Sequence, residues 1–271
     1  MRLLRANLRK LRRRPATWVT FLLLVALQAL ITFFIVIGSR QSADPMAALA
    51  ARQFLTFPAA YELIVQLVIG IGGLLAVTYG AAVAGSEWGW GTLKSAVARG
   101  ESRTRYQLLG YAGVALFTLF GLLGAFLAGV AVSAVGALVV GVSLGGMTDG
   151  EALLRLPELF GRAWLAMAMN AALGYAVATL ARSQLAGIGV GIGLFFAEAV
   201  AGVFAPHVVK WFPFSAAGAV VQAGAGGSVM VNGAEIGVTL DSTTAIVVTV
   251  AWLVGSLVVA SLWTERAEIS G

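Results

Sequence analysis

Carboxylates are scarce in this sequence, so one placed inside an apolar run stands out. Glu198 sits in Phe195-Phe196-Ala197-Glu198-Ala199-Val200, and an ionisable group in such a place is by default a candidate for a substrate or ion path. A polar contact between helices is its other use. Gln28, Gln66 and Asn170 join it as candidate path residues, although single amides also serve as interhelical glue. Glu62, only a few residues into the run that begins at Ala59, reads instead as interfacial and solvated. The second concentration of chemistry is GSEWGWGTLKSAVARGESRTRYQLLG, residues 85–110, where Glu87 precedes a short basic segment. Trp90, Leu93 and Val97 fall at i, i+3 and i+7 and give a short helix one apolar face, while Lys94, Arg99, Arg103 and Arg105 make the rest basic. Such a helix fits a partner's groove or a lipid surface. A basic juxtamembrane turn obeying the positive-inside rule is the plainer alternative.

Several chemistries lack the residues they need. There is no Cys, and His207 is the single His, so thiolate metal sites, disulfides and His-based zinc or triad chemistry are excluded. The nearest approach to a phosphate-cradling loop, Gly89-Trp90-Gly91-Thr92-Leu93-Lys94-Ser95, has Leu93 where a glycine must precede the lysine, so the chain is not expected to bind ATP itself. No Gly-x-Ser-x-Gly elbow and no HExxH occurs. Gly187, Gly189, Gly191 and Gly193 lack the spacing of a dinucleotide fingerprint; they form two small-xxx-small pairs, 187/191 and 189/193, suited to helix packing.

The elements that must position these residues follow from composition. Of 271 residues, 59% are hydrophobic and 11% charged, too little polar surface to cover a water-soluble domain of this size. The expected fold is all-α and membrane-integral, with six spans near 16–37, 59–85, 107–135, 160–181, 185–204 and 243–263. Residues 1–15 read as an amphipathic interfacial helix rather than a cleaved leader, 86–106 as a cytoplasmic loop, and 205–242 as an outer re-entrant or interfacial hairpin. Thirteen basic residues then fall on the side of the N-terminus and five on the other, which places both termini in the cytoplasm. Trp18 and Trp263 sit at cytoplasmic span ends, and Trp164 near an outer one. The 43 uncharged residues 106–148 are read as one span plus an apolar outer segment, with two short spans as the alternative. The sequence pI of about 10.2 points to anionic lipid headgroups, not nucleic acid.

An acid followed by Gly-Thr-Leu-Lys, a short apolar helix and a Ser-Arg pair resembles the signature of ATP-binding-cassette (ABC) type-2 permeases, the membrane subunits of many bacterial exporters. The matching residues are Glu87, Gly91-Thr92-Leu93-Lys94 and Ser102-Arg103. The basic N-terminal helix, the six-span layout, the Ala181-Arg182-Ser183 junction and the outer hairpin before the last span are similar too, whereas the proline many relatives carry before the Ser-Arg step is absent from Arg99-Gly100-Glu101-Ser102-Arg103. The resemblance implies a coupling helix, with Glu87, Trp90, Gly91, Thr92, Leu93, Lys94, Val97, Arg99, Ser102 and Arg103 at a separate nucleotide-binding subunit. It further implies two copies of that subunit holding ATP and Mg, and a second permease subunit, the same or related. In this reading the chain is no enzyme; it moves a hydrophobic or amphipathic substrate across the cell membrane. Two alternatives stay open: an ion- or proton-coupled transporter or channel using Glu198, and a non-transporting membrane scaffold.

Overall fold

Pro15, Pro45, Pro206 and Pro213 each stand in the first turn of a helix, where a ring without an N–H leaves no hydrogen bond unmade. Asp44, Ser102, Asp149, Ser183 and Asp241 accept backbone N–H groups of the turn that follows each of them. These residues divide the computed structural model, which describes residues 2–222, 229–231, 234–236 and 238–267, into eleven α-helices, one 3-10 turn (Gly145–Thr148) and one small hairpin. The helices are α1 (Arg2–Arg12), α2 (Pro15–Gln41), α3 (Pro45–Gln53), α4 (Ala59–Gly89), α5 (Thr92–Ala98), α6 (Arg103–Val140), α7 (Gly150–Ala181), α8 (Gln184–Phe204), α9 (Pro206–Val209), α10 (Pro213–Val221) and α11 (Ser242–Arg266). Strands β1 (Val229–Val231) and β2 (Ala234–Ile236) pair antiparallel within the expected outer hairpin. The rest of that hairpin's tip, residues 223–228, 232–233 and 237, lies outside the described residues.

Six helices, α2, α4, α6, α7, α8 and α11, are long and apolar enough to cross a bilayer. The chain is an all-α, multi-pass membrane protein. The uncharged stretch 106–148 lies mostly in one unbroken helix, α6, of 38 residues, about 57 Å at 1.5 Å per residue; Gly141, at φ +80°, ends it. Helix α7 begins at Gly150, not near Phe160. The charges that made 150–159 look like a loop, Glu151, Arg155 and Glu158, are all exposed on a helical extension beyond the apolar part of the span.

Helices α4 and α7 form the centre. Over an 18-residue apolar stretch of each helix, 78% of α7 and 56% of α4 is buried within the chain, against 17% of α2, 17% of α8 and 22% of α11. Apolar helices left so uncovered present their surfaces to lipid or to another subunit. The α4–α7 approach depends on missing side chains: a Cβ on Gly174 would stand 1.9 Å from the Val77 carbonyl oxygen, and one on Gly80 would stand 2.1 Å from that of Ala171. Gly187 and Gly191 bring α8 onto the same pair, against Ala178, Ala81 and Val77. A methyl group on Gly189 or Gly193 would meet no atom within 4 Å, so only one of the two expected glycine pairs packs inside the chain. Trp164 donates its indole N–H to the Ala115 carbonyl, 2.8 Å away, between α6 and α7.

Candidate functional site

Glu87 lies in the last turn of α4 and is buried. A carboxylate in that position needs compensating charge and donors, and four side chains supply them. Lys10 Nζ and Arg14 Nη2 donate to Oε1 at 2.5 and 2.9 Å. The Tyr106 hydroxyl donates to Oε2 at 2.6 Å, and Thr92 Oγ1 donates to the same oxygen. Arg14 also donates to Ser86 Oγ at 2.8 Å, and its guanidinium lies 5.1 Å from the Trp90 ring centre, within cation–π range. One carboxylate thus joins α1, the α1–α2 link, α5 and α6 to the end of α4. The same end of the molecule holds the start of α6 to the end of α11: Arg103 Nη1 donates to the carbonyls of Glu265 and Ala267 at 3.0 and 2.8 Å, and Thr104 bonds Glu265. Arg182, in the α7–α8 turn, stacks 5.1 Å from the Trp88 ring centre.

The loop helix is oriented differently from the sequence expectation. Leu93, expected as an outward anchor for a partner, is only 2% exposed, and Ala96 is buried beside it. A seven-residue helix cannot hold itself together in water, so its apolar side is used to dock α5 onto its own chain. Trp90, expected on this helix with Leu93 and Val97, instead caps α4; it is 67% exposed and forms the outward surface with Lys94 and Arg99. Val97 is half-buried. Gly91, at φ +63°, makes the left-handed step into α5, and Gly100, at φ +85°, the step out. Ser102 accepts the Arg105 N–H and starts α6.

The four candidate path residues have four different settings. Glu198 is 4% exposed and its carboxylate accepts the backbone N–H groups of Phe214 and Ser215, at 3.4 and 3.0 Å, together with the Ser215 hydroxyl at 3.1 Å. These groups belong to the first turn of α10, where unpaired N–H groups and the helix dipole favour an anion. At the other end of α10, Arg162 donates to the Val220 carbonyl at 3.3 Å and to Ser242, while pairing with Glu158 at 2.6 Å. Helix α10 therefore carries a carboxylate at its N-terminus and a guanidinium at its C-terminus, and its buried face, including Ala217 and Val221, joins the main core. Gln28, on α2, is buried against Gly129 of α6, and neither of its amide heavy atoms has a hydrogen-bond partner among the described residues. Asn170, on α7, is buried facing Gly73 of α4, with no partner for its Oδ1 among the described residues. Gln66 is exposed and lines a cleft of ≈ 300 Å³ with Glu62, Arg155, Glu158, Arg162 and Gln222.

Lys10, Arg14 and Tyr106 are the residues that sequence reasoning missed. The first two counted only as positive charges, although their four-residue spacing ahead of Pro15 was a visible hint of a two-cation clamp. Nothing distinguished Tyr106. Compared with known proteins, the chain matches no family model and no curated protein.

Proposed function

We propose that this chain is the permease subunit of an ABC exporter, working with a second permease subunit and with two copies of a nucleotide-binding subunit that hold ATP and Mg. In this reading the end bearing α1, α5 and the C-terminus of α11 faces the cytoplasm of the cell membrane, in accord with the distribution of basic residues. The observation that carries the proposal is the Glu87 node. A short helix with Lys94 on its outer side, flanked by exposed Trp90 and Arg99, is held through Glu87 to α1, α4 and α6. A displacement of that helix by an ATPase subunit would be passed to three elements together, because packed and ion-paired elements move as bodies. The resemblance of Glu87, Gly91-Thr92-Leu93-Lys94 and Ser102-Arg103 to the family signature supports the same reading.

The test is co-expression with ATPase subunits encoded in the source genome, followed by purification on a tag carried by the permease. An ATPase should co-purify with the native chain. Trp90→Ala should weaken that association about 30-fold, the effect of losing one anchor worth about 2 kcal/mol, with the chain still inserted. Substrate flux through the purified chain alone in liposomes, without ATP, would overturn the proposal in favour of a secondary transporter or channel.

A further inference from the structure

An apolar concavity of ≈ 390 Å³ opens on the side of the bundle between α2, α4 and α6. Leu24, Ala76, Tyr79 and Thr118 are buried on its floor, while Trp18 and Phe120 stand exposed on its rim. Its length follows α2 from Thr17 to Leu24, about 10 Å of helix rise, and all three helices belong to the membrane-spanning set. It is therefore a recess in the outer wall of the spanning bundle, at a depth where lipid hydrocarbon or another subunit, rather than water, is the neighbour. Glycine makes the space: Gly121 lines it, and a Cβ there would meet no atom within 4 Å.

The end of the recess nearest α1 is chemically different. Arg12 lines it, is exposed, and makes no salt bridge among the described residues, in contrast to Lys10 and Arg14, which are committed to Glu87. Trp18 is held beside it, its indole N–H bonded to the Arg12 carbonyl at 2.9 Å, in the amphipathic position such rings take at a membrane interface. We infer that this recess is a binding site for one anionic phospholipid, with an acyl chain lying along α2 and α6 and the phosphate at Arg12. The charge of Arg12 matches the phosphate, the apolar floor matches the chain, and the two are joined in the order in which a phospholipid joins them. The α1 helix and the recess then act together: α1 supplies the cation at headgroup level, and the start of α2 supplies the wall.

The experiment uses the purified full chain in phosphatidylcholine vesicles containing a small fraction of lipid with brominated acyl chains, which quench nearby tryptophan. The difference between the native chain and Trp18→Phe isolates Trp18 from the other six tryptophans. Trp18 should be quenched by brominated phosphatidylglycerol at about a five-fold lower mole fraction than by brominated phosphatidylcholine, the preference one arginine near a lipid phosphate provides. Arg12→Gln should bring the two lipids level. Gly121→Leu, which puts a branched side chain into the recess from a position whose Cβ meets no atom within 4 Å, should remove the strong component for both; unchanged helical circular dichroism checks that the variant is folded. Arg13→Gln, an exposed neighbour that does not line the recess, should keep the preference. Equal quenching by both lipids in the native chain, native-like quenching in Gly121→Leu, or an equal loss in Arg13→Gln would each overturn the site in favour of bulk lipid or diffuse surface charge.

Discussion

Two buried carboxylates, Glu87 and Glu198, hold this molecule in opposite ways. Glu87 is met only by side chains, and its two cations lie 73 and 77 residues away in sequence. Glu198 is met by two backbone N–H groups and one hydroxyl, all 16 or 17 residues away on the next buried helix. The first arrangement exists only once four segments have assembled, so it is a joint between elements. The second satisfies the open end of a single short helix, so it pins one element in place. Removing the first carboxylate strands buried positive charge; removing the second strands neutral donors. Charge without a partner costs more in a low-dielectric setting than an unmet N–H.

That difference sets an order of expected effects. Glu87→Ala should be the most damaging, at about 3 kcal/mol, the lower end for breaking a buried pair, because Lys10 is partly exposed and can turn toward solvent whereas Arg14 cannot. Thermal unfolding in detergent measures it, and limited proteolysis should show α1 released early; a native melting temperature would show that the joint is not needed. Glu198→Ala should cost about 1–3 kcal/mol, the range for stranding buried hydrogen-bond donors. Its effect should be local: hydrogen exchange should quicken across 213–221 and stay unchanged in α5. Quickening in both places would show that the two sites communicate. The smallest contrast pairs two hydroxyls. Both donate to a carboxylate, but Tyr106→Phe removes a short bond of 2.6 Å and should cost about 1.5 kcal/mol or more, while Ser215→Ala removes a longer one of 3.1 Å and should cost about 1 kcal/mol or less. The reverse order would mean that Glu198, not Glu87, is the more dependent on its partners.

The candidate site was only partly legible. Glu87 stood out because an acid beside a basic, membrane-flanking segment is rare in so apolar a chain, yet its partners did not. The spacing of Lys10 and Arg14 was only a hint and Tyr106 carried no signal, because contact of two cations with an acid more than 70 residues away, and of Tyr106 with the same acid 19 residues back, depends on how the elements pack. Leu93 shows the same limit from the other side. Its i, i+3 spacing with Trp90 predicts one shared apolar helix face, yet Gly91, in the left-handed region, separates the two residues: Trp90 caps α4 and Leu93 lies in α5. Here the chain itself covers Leu93 and leaves Trp90 outside.

What the sequence by itself determined is the set of helices and their character. Run length and hydropathy define the six spans, the prolines and capping residues define where many of the helices start, and the absence of charge from 106 to 148 permits a single long helix, because each of these is a property of residues close together in the chain. The tertiary structure alone decided the rest. It selected Gly187 and Gly191 but not Gly189 and Gly193 for packing within the chain, since four glycines in alternation lie on two faces of one helix and only one face can meet α4 and α7. It also turned Glu198, which as a bare carboxylate in an apolar run has several uses, onto the first turn of α10, because α10 folds back into the bundle and brings its unpaired N–H groups to that carboxylate.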